Sequence, residues 1–169
     1  VASRQLGEVL HVACWMHAPL LFLFDNPENV GWTQPSGAMV ANGFGYGQLS
    51  HLLAWVLHVC DLEPVEAYAT MVASASSGAD IADAVVIRCA NGASISMSGT
   101  AAVPGSAHDD DASVGKSIRI AIFGDEGSLE YGGDDQRPAS GRLEARRPER
   151  GSTGVHAASR PEADAAGGG

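Results

Sequence analysis

Gly43-Phe44-Gly45-Tyr46-Gly47-Gln48-Leu49-Ser50-His51 runs without a break into Leu52-Leu53-Ala54-Trp55-Val56-Leu57-His58-Val59-Cys60. A glycine-rich loop becomes an apolar helix with a histidine in its first turns. With Leu49 at zero and a step of about 100° per residue, Leu53, Val56 and Cys60 fall within about 40° of Leu49. Leu52 and Leu57 flank that stripe. His51 and His58 fall at about 180–200°, with Trp55 beside them. The stripe is therefore expected to face a core and the histidines to face away from it. His51 also lies close to the helix start, where glycines let another molecule approach the backbone. Most outward-facing helical histidines are simply solvated, so the helix alone marks a candidate acid/base site and no more. Gly43-x-Gly45-x-Gly47 is not a dinucleotide fingerprint: its third glycine is misplaced and no convincing strand leads into it.

Upstream, residues 1–6 read as the tail of a helix ending at Gly7, a residue suited to the C′ position. From Glu8 to His17 the pattern alternates. Leu10, Val12, Cys14 and Met16 are expected on a core face, and His11, Ala13, Trp15 and His17 on a mixed aromatic-polar face. The connection over 18–46 is rich in Pro, Asn, Gly and Trp. Loops this long in compact domains usually serve a binding site. It has room for a short helix around Leu20–Phe24. Downstream the helix should end near Asp61, with Pro64 as a stop.

The remaining pattern is β. Val65–Ser74 alternates weakly. Ile81–Cys89 and Ser94–Thr100 flank Ala90-Asn91-Gly92-Ala93, and Asn-Gly between alternating runs predicts a hairpin with φ > 0 at both turn residues. Ser94, Ser96 and Ser98 share one face, Ile95 and Met97 the other. Residues 101–115 form an acidic loop around Asp109-Asp110-Asp111. Ile118–Phe123 and Ser128–Tyr131 flank Gly124-Asp125-Glu126-Gly127, a second hairpin. The order is strand, long loop, helix, then about five hairpin-joined strands, which is an α+β fold with a largely antiparallel sheet. The ordered domain is expected over 1–132. Residues 133–169 lose periodicity and read as an irregular tail, disordered beyond 150, with room for a short strand around Leu143.

At 169 residues and 45% apolar the chain is one domain with ample core. A formal charge of −10 argues against nucleic acid and anionic membrane as partners. The charge is uneven: residues 1–136 carry 4 of the 10 basic side chains and 16 of the 20 acidic ones. Cys14, Cys60 and Cys89 sit singly in apolar runs, as buried thiols of a reducing, cytoplasmic compartment do. No signal peptide or spanning helix is visible. The chain opens Val1-Ala2-Ser3 and reads as cut from something longer. Metal chelation is disfavoured, since His11 and His17 would stand about 20 Å apart on a strand and His51 and His58 about 10 Å apart on a helix. Asp109–Asp111 lacks the glycine and distal Glu of a calcium loop. Neither a nucleophile elbow nor a Walker loop occurs.

Several short strings occur in a telling order: Gly7-Glu8-Val9-Leu10-His11-Val12, Asn42 through His51, Leu62-Glu63-Pro64-Val65-Glu66, Asn91-Gly92-Ala93, and Ile122-Phe123-Gly124-Asp125-Glu126-Gly127-Ser128-Leu129. Together they resemble the C-terminal domain of the glucose–fructose oxidoreductase, inositol dehydrogenase and MocA family over about residues 1–132. The resemblance implies an open, largely antiparallel sheet with one main helix on one face, like the C-terminal domain of glyceraldehyde-3-phosphate dehydrogenase. It implies an N-terminal Rossmann domain, absent from this chain, that holds NAD or NADP. It implies hydride transfer at a sugar or cyclitol hydroxyl or carbonyl, with His51 as catalytic acid/base and a Lys of the other domain assisting. Tyr46 and Gln48, then His17 and Trp15, are the candidate substrate contacts, and the sheet is the expected homo-oligomer interface. Many members carry Asp four residues before the His and three after it; here those positions are Gly47 and Ala54. A fragment of this kind should be inactive alone. The rival reading is a non-catalytic module that binds carbohydrate or mediates assembly.

Overall fold

A computed structural model describes residues 6–34, 42–104, 115–134, 141–148 and 156–158 of the chain. Eight strands form a single sheet in the order β2-β3-β4-β1-β5-β6-β7-β8. The strands are β1 (Val9–His17), β2 (Pro64–Ala73), β3 (Asp80–Cys89), β4 (Ser94–Thr100), β5 (Ser117–Gly124), β6 (Gly127–Asp134), β7 (Arg142–Arg146) and β8 (His156–Ala158). Every pairing is antiparallel except β1 with β4. Three helices, α1 (Leu21–Phe24), α2 (Val30–Thr33) and α3 (Ser50–Cys60), join the sheet, and α3 is preceded by a π-helical turn over Gly45–Leu49. The architecture is the expected open sheet with one main helix.

The core lies between α3 and the central strands. Val12, Cys14, Met16, Ile87, Ile95, Met97, Ile120 and Ile122 meet Leu49, Leu52, Val56 and Cys60 there. On α3 the buried residues are Leu52, Val56 and Cys60, while Leu53 and Leu57 are half-buried. The buried stripe is thus turned toward Leu52 relative to the 100° projection, because the π turn holds more residues per turn than an α-helix and shifts the phase. Trp55, His51 and His58 are exposed as expected.

On β1, Val12, Cys14 and Met16 point inward, but Leu10 does not: it is 54% exposed and Val9 is buried in its place. The β1–β5 register slips between Val9 and His11, and the extra residue of this bulge reverses the alternation at the strand start. Next to it Gly7 adopts φ +74°, the expected left-handed conformation, while residues 1–5 lie outside the described residues. The first hairpin also differs in detail. Gly92 has φ +87° but Asn91 does not have positive φ. Gly92 N–H donates to Cys89 O at 3.0 Å and Cys89 N–H to Ala93 O at 2.8 Å, which closes a longer turn than the two-residue form. Asn91 Oδ1 accepts Ala93 N–H at 3.0 Å and its Nδ2 donates to Val9 O at 3.3 Å. Its side chain ties the turn to β1, where a backbone role had been expected.

Asp61 closes α3 in the left-handed region, φ 54°, and Pro64 opens β2 directly. β2 is exposed along its whole length. The expected short helix appears as α1, and α2 was not foreseen. The stretch after 132 is not uniformly irregular. β6 continues to Asp134, and β7 forms around Leu143 by pairing Tyr131 with Leu143. β8 pairs with β7 beyond residue 150. The aspartates 109–111 lie outside the described residues.

Candidate functional site

His51 is the second residue of α3 and its side chain is exposed. It stands at the mouth of an apolar groove of about 610 Å³ between α3 and the strands β5–β7. Trp55, one turn along the helix, shares that rim and is 43% exposed. Met16, Ile118, Ile120, Ile122 and Tyr131 supply the sheet side of the groove. These arise from strand alternation, since Cys14 pairs with Ile120 and Ile120 with Tyr131 across β1, β5 and β6. The groove exists because α3 and the π turn before it cover the sheet around β1, β3 and β4 and leave the inner face of β5–β7 open.

The segment before α3 is fixed from below. Gly47 N–H donates to Gly43 O at 2.8 Å, and Gly45 N–H donates to Asp80 Oδ2 at 2.6 Å. Gly43 has φ +113° and pairs with Asp80 as an isolated parallel bridge. A Cβ at Gly45 would stand 3.3 Å from Asp80 Oδ2 and 3.4 Å from Asp83 Oδ2. Asp83 is buried, 6% exposed, and neither of its carboxylate oxygens has a donor. Burial first and the charge of neighbouring Asp80 second raise the Asp83 carboxyl to about 7. Two ionised carboxylates can only accept, so a bond between Asp80 and Asp83 requires a proton on one of them. Tyr46 is exposed and Gln48 half-buried on the π turn, and neither lines the groove.

Trp15 and His17 occupy the other face of the sheet. They stack on each other with ring centroids 4.3 Å apart, and the Arg119 guanidinium sits 5.9 Å from the Trp15 ring. Along the same face His11 Nδ1 is 2.8 Å from Ser94 Oγ and its ring lies 6.0 Å from Phe123. The five sequence candidates are therefore split: His51 at the groove, Tyr46 and Gln48 on the turn leading to it, and Trp15 and His17 across the sheet. The groove-lining residues of β5–β7 and the Asp80–Asp83 pair were missed. The strand pattern held a signal for the pair, because Asp83 occupies an inward position between Ile81 and Val85.

The three thiols are buried and unpaired. Burial, aided by Cys60, pushes Cys14 up to about 12, and burial pushes Cys60 up to about 11, so neither offers a thiolate near neutral pH. Among the described residues no three His, Cys, Asp or Glu side chains converge.

Residues 1–130 match the profile of the GFO/IDH/MocA C-terminal domain. The chain belongs to the GFO/IDH/MocA family. No curated sequence matches it. Among solved structures, an oxidoreductase domain protein from Kribbella flavida superposes with a TM-score of 0.66 at 14% identity, over 94% of this chain and 43% of that one. An NAD binding oxidoreductase from Klebsiella pneumoniae gives 0.64 at 14% identity, covering 94% and 41%. Levoglucosan dehydrogenase in complex with NADH and levoglucosan gives 0.63 at 17% identity, covering 92% and 40%. The fold is shared, and this GFO/IDH/MocA chain spans less than half the length of those proteins.

The glycine turn of this GFO/IDH/MocA domain does not fit a dinucleotide. A pyrophosphate needs free backbone N–H groups, but those of Gly45 and Gly47 are already engaged, and the acceptor below Gly45 is a carboxylate. The turn therefore offers no backbone cradle for a pyrophosphate.

Proposed function

We propose that this chain is the substrate-binding and oligomerisation domain of an NAD(P)-dependent oxidoreductase that acts on a hydroxyl or carbonyl of a sugar or cyclitol. The observation that carries this reading is the exposed imidazole of His51 at the rim of a groove, on a rigid helix one residue past a π turn. Oxidising a carbinol removes a hydride and a proton, and this chain deals with the proton. An imidazole, whose usual pKa is near 6.5, accepts the hydroxyl proton and returns it in the reverse direction. Trp55 beside it offers a ring face for the C–H surface of a sugar. Tyr46 and Gln48, on the π turn that leads into α3, are the further candidates to complete the contact. The cofactor, NAD or NADP, belongs to a Rossmann domain outside this chain. Levoglucosan dehydrogenase, which shares the fold, is a complex with NADH and levoglucosan, and this supports the cofactor and substrate class.

The open face supports the oligomer reading. Tyr68, Val72 and Val86 are exposed there, with Tyr68 at 73%. Sheet faces with this much bare apolar surface belong at interfaces. Trp15 and His17 lie on that face, so their role is assembly or a site shared with a second copy. Three buried free thiols support a reducing cytoplasm. Among the described residues no helix is long and apolar enough to cross a membrane.

The test uses the protein with its upstream coding sequence, a panel of sugars and polyols, and reduction of NAD or NADP as readout. Turnover that falls with His51→Ala supports the reading. A fully active His51→Ala enzyme removes the proposed role, and a protein with no turnover on any polyol leaves the non-catalytic carbohydrate or assembly module as the better account.

A further inference from the structure

The two carboxyl groups under the glycine-rich turn have no part in the proton transfer described above. Their position is nevertheless specific. Asp80 holds Gly45 N–H at 2.6 Å and bridges Gly43, so it fastens the first glycines of the turn to β3. Asp83, three residues further along β3 and past the register shift at the strand start, brings its carboxyl to the same glycine. Among the described residues no cation pairs with it. Across the strands it faces Met71 on β2 and Gly99 on β4. Phe44 and Leu49 close the space above, both reaching within 2.7 Å of where a Gly99 Cβ would stand. No charged residue occurs on β4, on the π turn or on α1; the titratable groups there are Tyr46, which is exposed, and Asp25 after α1, which accepts the Ser74 hydroxyl. On β2 the acid is Glu66, paired with Arg88 at 3.0 Å.

We propose that Asp80 and Asp83 form a proton-sharing latch under the turn. With one proton between them the pair clamps Gly45; when that proton is lost, the two charges separate and the turn loosens. The turn carries Tyr46 and Gln48 and feeds directly into His51, so a single buried proton sets how these side chains are presented. Desolvation keeps a lone buried carboxyl neutral, and a neighbouring carboxylate adds to that effect. The protonated partner can then donate to the ionised one, which leaves Asp80 free to accept Gly45 N–H with its other oxygen. A paired-carboxyl site of this kind titrates as a unit. This inference does not depend on what His51 does, and no activity enters its test.

The test is a carboxyl-carbon NMR titration of the chain from pH 4 to 9, followed together with the Gly45 amide. We expect the Asp80–Asp83 pair to release a proton near neutral pH, and the Gly45 amide resonance to move with the same midpoint. Gly45 amide exchange, corrected for its intrinsic pH dependence, should quicken at least tenfold between pH 6 and pH 8.5. Asp83→Asn keeps the shape and donates a permanent N–H to Asp80, so this quickening should vanish. Complete ionisation of both carboxyls below pH 5 overturns the latch, as does a Gly45 amide that ignores the titration. Should Asp83→Asn fail to fold, the titration of the parent chain decides alone.

Discussion

His51 and Trp15 stand on opposite sides of the central sheet. Met16, adjacent to Trp15 in sequence, shares the groove with His51, whereas Trp15 stacks with His17 on the far face. Strand alternation makes the two sites separable by mutation. In the protein with its upstream sequence, the proposed acid/base role predicts that His51→Ala lowers kcat/KM by about 10²–10⁴. The same change should move stability by less than about 0.5 kcal/mol, because the side chain is exposed. Trp15→Ala should instead weaken self-association. Steady-state kinetics, thermal melts and sedimentation on both variants check the separation.

Ile122 is 1% exposed and lies in the core beside the groove. Truncating it leaves a void that the rigid sheet cannot collapse, so Ile122→Ala should cost about 2–5 kcal/mol. Leu10→Ala, at the bulge where the side chain turns outward, should cost under about 0.5 kcal/mol. Urea unfolding of the two variants distinguishes them, and equal losses would mean that the bulge does not reverse the strand as described.

Gly99 packs where a side chain cannot enter. A Cβ there would stand 2.7 Å from Met16 O, Leu49 Cδ2 and Phe44 Cε1. Gly99→Ala should therefore destabilise by about 1–3 kcal/mol through overpacking. Gly92 has open space around its Cα but φ +87°, so Gly92→Ala should cost only about 1 kcal/mol, the strain of a left-handed alanine. Unfolding midpoints rank the two.

Asp83 also gives stability a pH signature. Its carboxyl has an ordinary value of 3.8 and is raised to about 7 by burial first and Asp80 second. Between those values the folded chain binds more protons at this site than the unfolded chain does. Stability should then fall as pH rises from about 4 to about 7 and change little from this source above that. Asp83→Asn should flatten the decline and be more stabilising at pH 8 than at pH 5. Denaturant midpoints at the two pH values measure it; an identical slope in both proteins would assign the decline to other groups.

The fold was largely legible because its signals are local. Alternation located the strands, Asn91-Gly92 located the first hairpin, and the apolar stripe oriented α3 so that His51 faced outward. What escaped was set by other parts of the chain. The Leu10 bulge is imposed by pairing with β5, and the π turn shifts the helix phase in a way a fixed 100° step does not register. β7 and β8 carry little hydrophobic pattern, and β7 owes its place to pairing with β6. The site was legible only in part. The outward position of His51 follows from helix geometry, but the groove beside it needs α3, Met16 of β1 and the strands β5–β7 together, and these lie far apart in sequence. Trp15 and His17 were candidate substrate contacts, and strand parity puts them on the face away from His51.

β1 occupies the middle of the sheet although it is the first strand among the described residues. Its neighbours are β4, whose pairing starts at Ser94, and β5, which reaches Gly124. On a ribosome, β1 emerges with both of its edges unsatisfied and stays so until most of the domain has been made, whereas β2–β3–β4 and β5–β6 can zip up as local meanders. Joining those meanders through β1 is then the late, slow event of biosynthesis. Slowed translation between residues 60 and 115, or a chaperone that shields nascent strands, should therefore change the yield of folded protein.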